Sequence, residues 1–251
     1  MTLSVESDGA GPRIVLVHGF TQTRRCWGPE AAELARDHEV VRVDAPGHGR
    51  SRKVRAGLLD GARLIVEVGG AATYLGYSMG ARFCLHVALA RPDLVPGLVL
   101  IGATPGIEDV GERQARREQD LRTAGRIEAE GVEPFLDAWL AQPLFSRLPR
   151  ERAFVDERSE NSVEGLVSSL TLAGTGSQDP SWHRLSQLTM PVLVVAGALD
   201  SKFSAIAQRM VTTIGDNAAL ALIPEAGHAA HLEQPDAFLA VLRPWLADHG
   251  L

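Results

Sequence analysis

The stretch Ala72-Thr73-Tyr74-Leu75-Gly76-Tyr77-Ser78-Met79-Gly80 runs from an apolar strand into a G-x-S-x-G turn, and Met79 to Ala90 continues with helical period. A serine at such a junction sits on a sharp, strained strand-to-helix turn that lifts its hydroxyl above the sheet. Gly76 and Gly80 suit that geometry, because a side chain at either place collides with neighbouring backbone. An ordinary turn capped by serine is the plainer alternative. The strand before the motif and the helix after it favour an exposed nucleophile.

Outward from this turn, Arg13 to Val17, Glu39 to Val43, Leu98 to Ile101 and Val192 to Ala196 are short, mostly apolar runs, as expected of strands covered on both faces of a parallel sheet. Ala72 to Tyr77 and Ala219 to Ile223 are two further strands. Leu59 to Val68, Met79 to Ala90, Ser201 to Val211 and Asp236 to Ala247 read as helices between them. This alternation predicts an α/β fold with a mostly parallel, doubly wound sheet. The segment from Glu108 to Thr175 breaks it: charged helical stretches, Glu112 to Glu130 and Glu133 to Leu140, carry no convincing strand. We expect a core of residues 1–107 and 176–251 and a helical lid of residues 108–175, entering over the carboxyl edge where α/β sheets bind ligands.

A chain of 251 residues that is 45% hydrophobic and 22% charged has the balance of a globular protein, which argues against disorder and fibrous architectures. Its 31 acidic and 25 basic residues leave a net charge of -6, which argues against non-specific nucleic-acid binding. Apolar runs such as Leu98 to Gly106 fall far short of the ~20 residues that cross a bilayer. The first residues lack a basic and then apolar leader, so cytoplasmic residence is expected. Cys26 and Cys84 stand in no metal or redox spacing and read as reduced thiols. No ligand-spaced cluster and no dinucleotide fingerprint follows a strand, so neither a metal nor an organic cofactor is expected. A monomer or homodimer is expected.

The order serine, acid, histidine along the chain is completed by Asp200, after the strand at Val192 to Ala196, and by His228, after the strand at Ala219 to Ile223. Each lies on a loop following a strand, which brings all three groups to one sheet edge. His228 is then set to take the serine proton while Asp200 fixes its tautomer and stabilises the imidazolium. His231 and Glu233 are rivals nearby, but residue 231 should already begin the next helix. His18-Gly19-Phe20 ends the first strong strand, and the backbone N–H groups of Phe20 and Met79 are expected to form an oxyanion hole. His18 reads as structural. Asp44-Ala45-Pro46-Gly47-His48-Gly49-Arg50-Ser51 reads as a structural loop shaping the pocket, which removes His48 as a catalytic candidate.

Together these motifs resemble the α/β-hydrolase fold over essentially the whole chain. A second set is sharper: Tyr77-Ser78-Met79-Gly80-Ala81-Arg82, Glu112-Arg113-Gln114-Ala115-Arg116 with Gln119-Asp120, Trp139-Leu140-Ala141-Gln142-Pro143-Leu144-Phe145, Asp200-Ser201-Lys202-Phe203 and Gly227-His228-Ala229-Ala230-His231. It is similar to the 2-succinyl-6-hydroxy-2,4-cyclohexadiene-1-carboxylate synthase family of menaquinone biosynthesis. That family eliminates pyruvate from a cyclohexene precursor without hydrolysis. The resemblance implies a Ser78, His228 and Asp200 triad with Ser78 as base, and a substrate pocket lined by Tyr77, Arg82, Arg116, Trp139 and Arg158. It implies as partner a small polycarboxylate, which arginine binds in a bidentate, permanently charged way. The chain has 23 Arg and only two Lys, Lys53 and Lys202, so Arg113, Arg117 and Arg122 are rivals for the lid contact. The core motifs also fit a serine hydrolase, a carboxylesterase or carbon–carbon bond hydrolase, and a non-catalytic ligand-binding relative is a third possibility.

Overall fold

Strands whose residues are apolar in unbroken runs need cover on both faces, and the computed structural model, which describes residues 2–251, provides it. The chain runs through β1 (Val5–Asp8), β2 (Arg13–Val17), α1 (Gly28–Leu34), β3 (Glu39–Val43), α2 (Leu58–Gly69), β4 (Thr73–Tyr77), α3 (Met79–Ala90) and β5 (Leu98–Ile101). Then come four helices, α4 (Val110–Glu130), α5 (Val132–Leu140), α6 (Val155–Ser159) and α7 (Val163–Ala173). The chain closes with β6 (Val192–Gly197), α8 (Ser201–Ile214), β7 (Ala218–Ile223), α9 (Ala230–Glu233) and α10 (Pro235–Asp248).

The seven strands form one sheet in the order β1-β3-β2-β4-β5-β6-β7. Only β1 is antiparallel, pairing Val5 with Val43; every other neighbour is parallel. Alternate residues of the six parallel strands feed two cores. Val15, Val17 and Tyr74 pack with Ile65 of α2, Phe83 of α3 and Met210 of α8. Ile14, Leu16 and Leu75 pack with Leu34 of α1 and Phe238 and Leu242 of α10 on the opposite face. After β3 the chain crosses over β2 to lay down β4, so the order of winding reverses between β2 and β4, the place where doubly wound sheets open a crevice.

The expected strands and helices are present, with α8 extending past Val211 to Ile214. Two elements have no clear sequence signal. β1 is Val-Glu-Ser-Asp, exposed along its length at the sheet edge, so no apolar alternation marks it. α1 is short and starts with a proline in its first turn, and its seven residues present only Ala31 and Leu34 as an apolar face.

Between β5 and β6, α4 is polar along most of its length and buries only Asp120, Ala124 and Ile127, one narrow stripe at helical spacing. Ala124 and Ile127 pack with Phe135 of α5 and Leu166 and Leu170 of α7 into a small third core, which Phe20 and Trp139 border.

Candidate active site

Parallel strands end at one edge, so the residues just beyond β2, β4, β6 and β7 meet there. Ser78 follows Tyr77 at the end of β4 with φ 51° and ψ −108°, outside the comfortable region for an L residue. The turn closes because Gly76 and Gly80 are bare. A Cβ on Gly80 would lie 1.9 Å from the Val17 carbonyl oxygen, and one on Gly76 would lie 2.5 Å from the Gly80 carbonyl.

His228 stands between the other two groups. Its Nε2 lies 3.1 Å from Ser78 Oγ and its Nδ1 lies 3.1 Å from Asp200 Oδ2. A carboxylate only accepts, so Nδ1 carries the proton and donates to Asp200, leaving Nε2 to accept the serine hydroxyl. Asp200 also caps α8, its Oδ1 accepting the Phe203 amide at 3.1 Å. Burial pushes the Asp200 carboxyl up, but the hydrogen bonds from His228 and Phe203, helped by the Lys202 charge, outweigh it, and the group ends below the usual carboxylate range. Phe203 and Tyr77 hold the imidazole ring, with centroids 4.4 Å and 5.5 Å away.

The other histidines lie elsewhere. His231 is in α9, buried between Tyr77 at 4.5 Å and Trp27 at 4.8 Å, and burial lowers it to about 3. His18 Nε2 accepts the Ala45 amide at 3.1 Å, and burial lowers this ring to about 4. His48 packs its ring against Phe20 at 5.7 Å, so the Asp44 to Ser51 loop acts on the cavity through Phe20 and does not line it. Among the described residues, the backbone amides of Phe20 and Met79 have no protein acceptor.

Ser78 opens into a cavity of about 450 Å³. Tyr77, Arg82, Arg116, Trp139 and Arg158 all line it, beside Ser78, Asp200 and His228. Arg82 is 5% exposed and donates to the Ala173 carbonyl at 2.7 Å and to Gln178 Oε1 at 3.1 Å. Burial and then the nearby Arg116 charge lower its guanidinium to about 10, against the pull of Asp120, so it stays cationic at neutral pH. Arg158, 2% exposed, donates through Nε to the Ala153 carbonyl at 2.6 Å and through a terminal nitrogen to Thr21 Oγ1. Arg116 is more open, its side chain 37% exposed and paired with Asp120 at 2.8 Å. Trp139 stands edge-on to Phe20 at 5.3 Å, and its indole N–H is buried without a partner among the described residues.

Of the rival arginines on α4, Arg113 donates to the Ile107 carbonyl at 2.8 Å, Arg117 and Arg122 are exposed, and none of the three lines the cavity. Arg126 and Lys202 do line it. Lys202 had a signal, being one of two lysines in an arginine-rich chain and next to Asp200. Arg126 had none, since it repeats the charge pattern of its neighbours on α4.

Known proteins resemble this chain over most of its length. Residues 14–241 match the model of the alpha/beta hydrolase family. The 2-succinyl-6-hydroxy-2,4-cyclohexadiene-1-carboxylate synthase of Enterobacter sp. (strain 638) is 34% identical over 239 residues, covering 92% of this chain and 90% of that protein. The solved structure of MenH from S. aureus superposes with a TM-score of 0.92 at 28% identity, covering all of both chains. A thermophilic esterase from Thermogutta terrifontis, with a TM-score of 0.85 at 24% identity over 98% of this chain and 93% of its own, shares the fold. The chain belongs to the alpha/beta hydrolase family and, within it, to the family of 2-succinyl-6-hydroxy-2,4-cyclohexadiene-1-carboxylate synthases.

Proposed function

We propose that the protein eliminates pyruvate from 2-succinyl-5-enolpyruvyl-6-hydroxy-3-cyclohexene-1-carboxylate to give 2-succinyl-6-hydroxy-2,4-cyclohexadiene-1-carboxylate, with Ser78 as base in a triad with His228 and Asp200. The observation that carries this reading is one cavity holding the Ser78 hydroxyl together with Arg82, Arg116 and Arg158. A substrate with several carboxylates needs such walls, and guanidinium groups meet carboxylates in bidentate, charge-assisted pairs. Family membership supports the same chemistry.

In this mechanism His228 Nε2 takes the Ser78 proton and Asp200 stabilises the imidazolium. Ser78 Oγ removes the ring proton at C2, its C–H electrons form the C2=C3 double bond, the existing C3=C4 pair shifts to C4=C5, and the C5–O bond to the enolpyruvyl group breaks. The group leaves as the enolate of pyruvate and regains the proton from His228, so Ser78 ends protonated and no water is consumed. The Phe20 and Met79 amides face charge that develops in the substrate, worth about 3 kcal/mol per donor. Residues 108–175 act as a lid that brings Arg116, Trp139 and Arg158 over the serine. The steps use side chains and amides alone.

Serine hydrolysis is the second reading, favoured by the same pair of amides, because a triad serine can attack a carbonyl carbon as well as abstract a proton. One assay separates them: purified protein is incubated with the enolpyruvyl precursor and pyruvate is followed. Stoichiometric pyruvate supports elimination. No pyruvate, with rapid cleavage of short acyl esters, identifies a hydrolase, and binding without turnover of either identifies a ligand-binding relative.

A further inference from the structure

We propose that Glu233 is a positioning residue for His228, an inference that rests on the triad reading above. Glu233 is 7% exposed, and both of its carboxylate oxygens are committed to backbone on the two sides of the histidine. The Gly227 amide donates to Oε2 at 2.5 Å and the Ala229 amide donates to Oε1 at 2.9 Å. The short helix α9 makes this reach possible, because the Glu233 amide donates back to the Ala229 carbonyl at 2.9 Å and folds the side chain over the loop.

The clamp works against a fixed surface. On the far side of the loop, a Cβ on Gly197 at the end of β6 would lie 2.0 Å from the Gly227 carbonyl oxygen, so the loop rests on the strand that leads to Asp200. Gly227 is bare on the near side too, where a Cβ would come within 3.1 Å of Glu233 Oε2. His228 is thereby held between the carboxylate and β6, which sets its height over Asp200 and Ser78. Both triad bonds measure 3.1 Å, near the long end for good hydrogen bonds, so a small drift of the loop weakens them together.

A neutral side chain cannot serve as well. Glutamine offers one acceptor for two amides and sets an N–H group against the other.

The test compares Glu233→Gln with Glu233→Asp, which keeps the charge but is one methylene too short to span both amides. We expect Glu233→Gln to lower kcat for pyruvate release about 100-fold with KM nearly unchanged, as for a small misplacement of a reacting group. Glu233→Asp should recover part of that loss. Two readouts do not depend on the substrate: the rate at which a fluorophosphonate labels Ser78, and the low-field NMR resonance of the His228 Nδ1 proton. Slower labelling and a broadened resonance in a variant with wild-type circular dichroism support the clamp. If the wild-type protein releases no pyruvate but these differences appear, the positioning role stands and the substrate reading fails. Wild-type labelling and an unchanged resonance in folded Glu233→Gln overturn the proposal. Should that variant not fold, wild-type values in Glu233→Asp overturn it equally.

Discussion

His48 Nε2 accepts the Thr21 amide at 3.3 Å, tying the Asp44 to Ser51 loop to the turn that presents the Phe20 amide. The ring is neutral in this role, since Nδ1 donates to the Pro46 carbonyl at 3.0 Å and Nε2 must accept. Thr21 needs the support: its φ is 67°, and Asn161 Nδ2 and Arg158 hold its carbonyl and hydroxyl. A histidine that never touches substrate thus fixes one half of the proposed oxyanion hole.

Replacing that histidine is the first expected outcome. His48→Ala leaves the Thr21 amide buried and unpaired, which should cost about 1–3 kcal/mol in urea unfolding. With the Phe20 amide free to drift, kcat should fall about 10-fold or more, and KM should change little. A wild-type kcat in a destabilised variant would detach the loop from catalysis.

Ser78 separates strain from chemistry. Ser78→Ala and Ser78→Gly should both lower kcat by about a thousandfold or more. Only glycine accepts the φ and ψ of residue 78 without strain, so Ser78→Gly should melt higher than Ser78→Ala, by about 1 kcal/mol at the midpoint. Equal melting temperatures would show an unstrained turn.

The arginines should rank by burial. Arg82→Ala and Arg158→Ala remove the enclosed cations and should depress kcat/KM for the tricarboxylate precursor by about 100-fold or more, a few kcal/mol of unpaired charge. Arg116→Ala, more exposed and already paired with Asp120, should act less and mainly on KM, with an effect that fades as salt screens it. Cleavage of a neutral ester, if detectable, should hardly change. Three variants with wild-type kcat/KM would return these arginines to the general arginine excess of the chain.

Stability should fall with acid as buried histidines refuse protons. Burial lowers His18 and His86 to about 4 and His48 and His231 to about 3, against 6.5 for the free side chain. Above pH 6.5 these rings are neutral in both states. Between pH 6.5 and about 4 the unfolded chain takes up protons that the folded chain refuses, so unfolding free energy drops as pH falls, by about 1.4 kcal/mol per pH unit for each fully titrating ring. Urea unfolding at pH 7, 6 and 5 measures the slope, and His86→Leu should flatten it. A flat profile down to pH 5 would mean that the rings protonate in the folded state.

The Arg152–Glu30 pair offers a last check on how the 150s segment is attached to the core. Glu30 is 1% exposed and one of its oxygens lacks a partner, so burial raises its carboxyl even though Arg152 pulls it down. Arg152→Ala strands the carboxylate and should destabilise the fold by about 3–5 kcal/mol at pH 7. The loss should shrink as pH falls, because burial already raises the Glu30 carboxyl and removing Arg152 takes away a charge that holds it down, and Arg152→Ala with Glu30→Leu should recover most of it. An unchanged urea midpoint in the single variant would show the pair to be dispensable.

Much of the fold and of the site is legible in the sequence, and the reason is local. The elbow needs a strand, two bare glycines and a helix within a few residues, so Gly76 to Gly80 announces Ser78 without help from the rest of the chain. Apolar runs such as Leu98 to Ile101 mark buried strands because cover on both faces leaves no polar position. β1 and α1 escaped because an exposed edge strand and a seven-residue helix bury too little to stamp a pattern.

Chain order and strand ends sufficed to choose Ser78, Asp200 and His228, since parallel strands deliver their following loops to one edge whatever lies between. Tertiary packing alone decided which of the α4 cations meet that edge. Arg116 and Arg126 face the cavity while Arg113, Arg117 and Arg122, alike in type and on the same helix, do not. The rotation of α4 follows from a stripe of only Asp120, Ala124 and Ile127, which is too narrow to read from sequence against so many charges. Glu233 is the sharper case: nothing in its spacing tells that its two oxygens close on the amides around His228, because that contact exists only once β6, the loop and α9 have folded against one another.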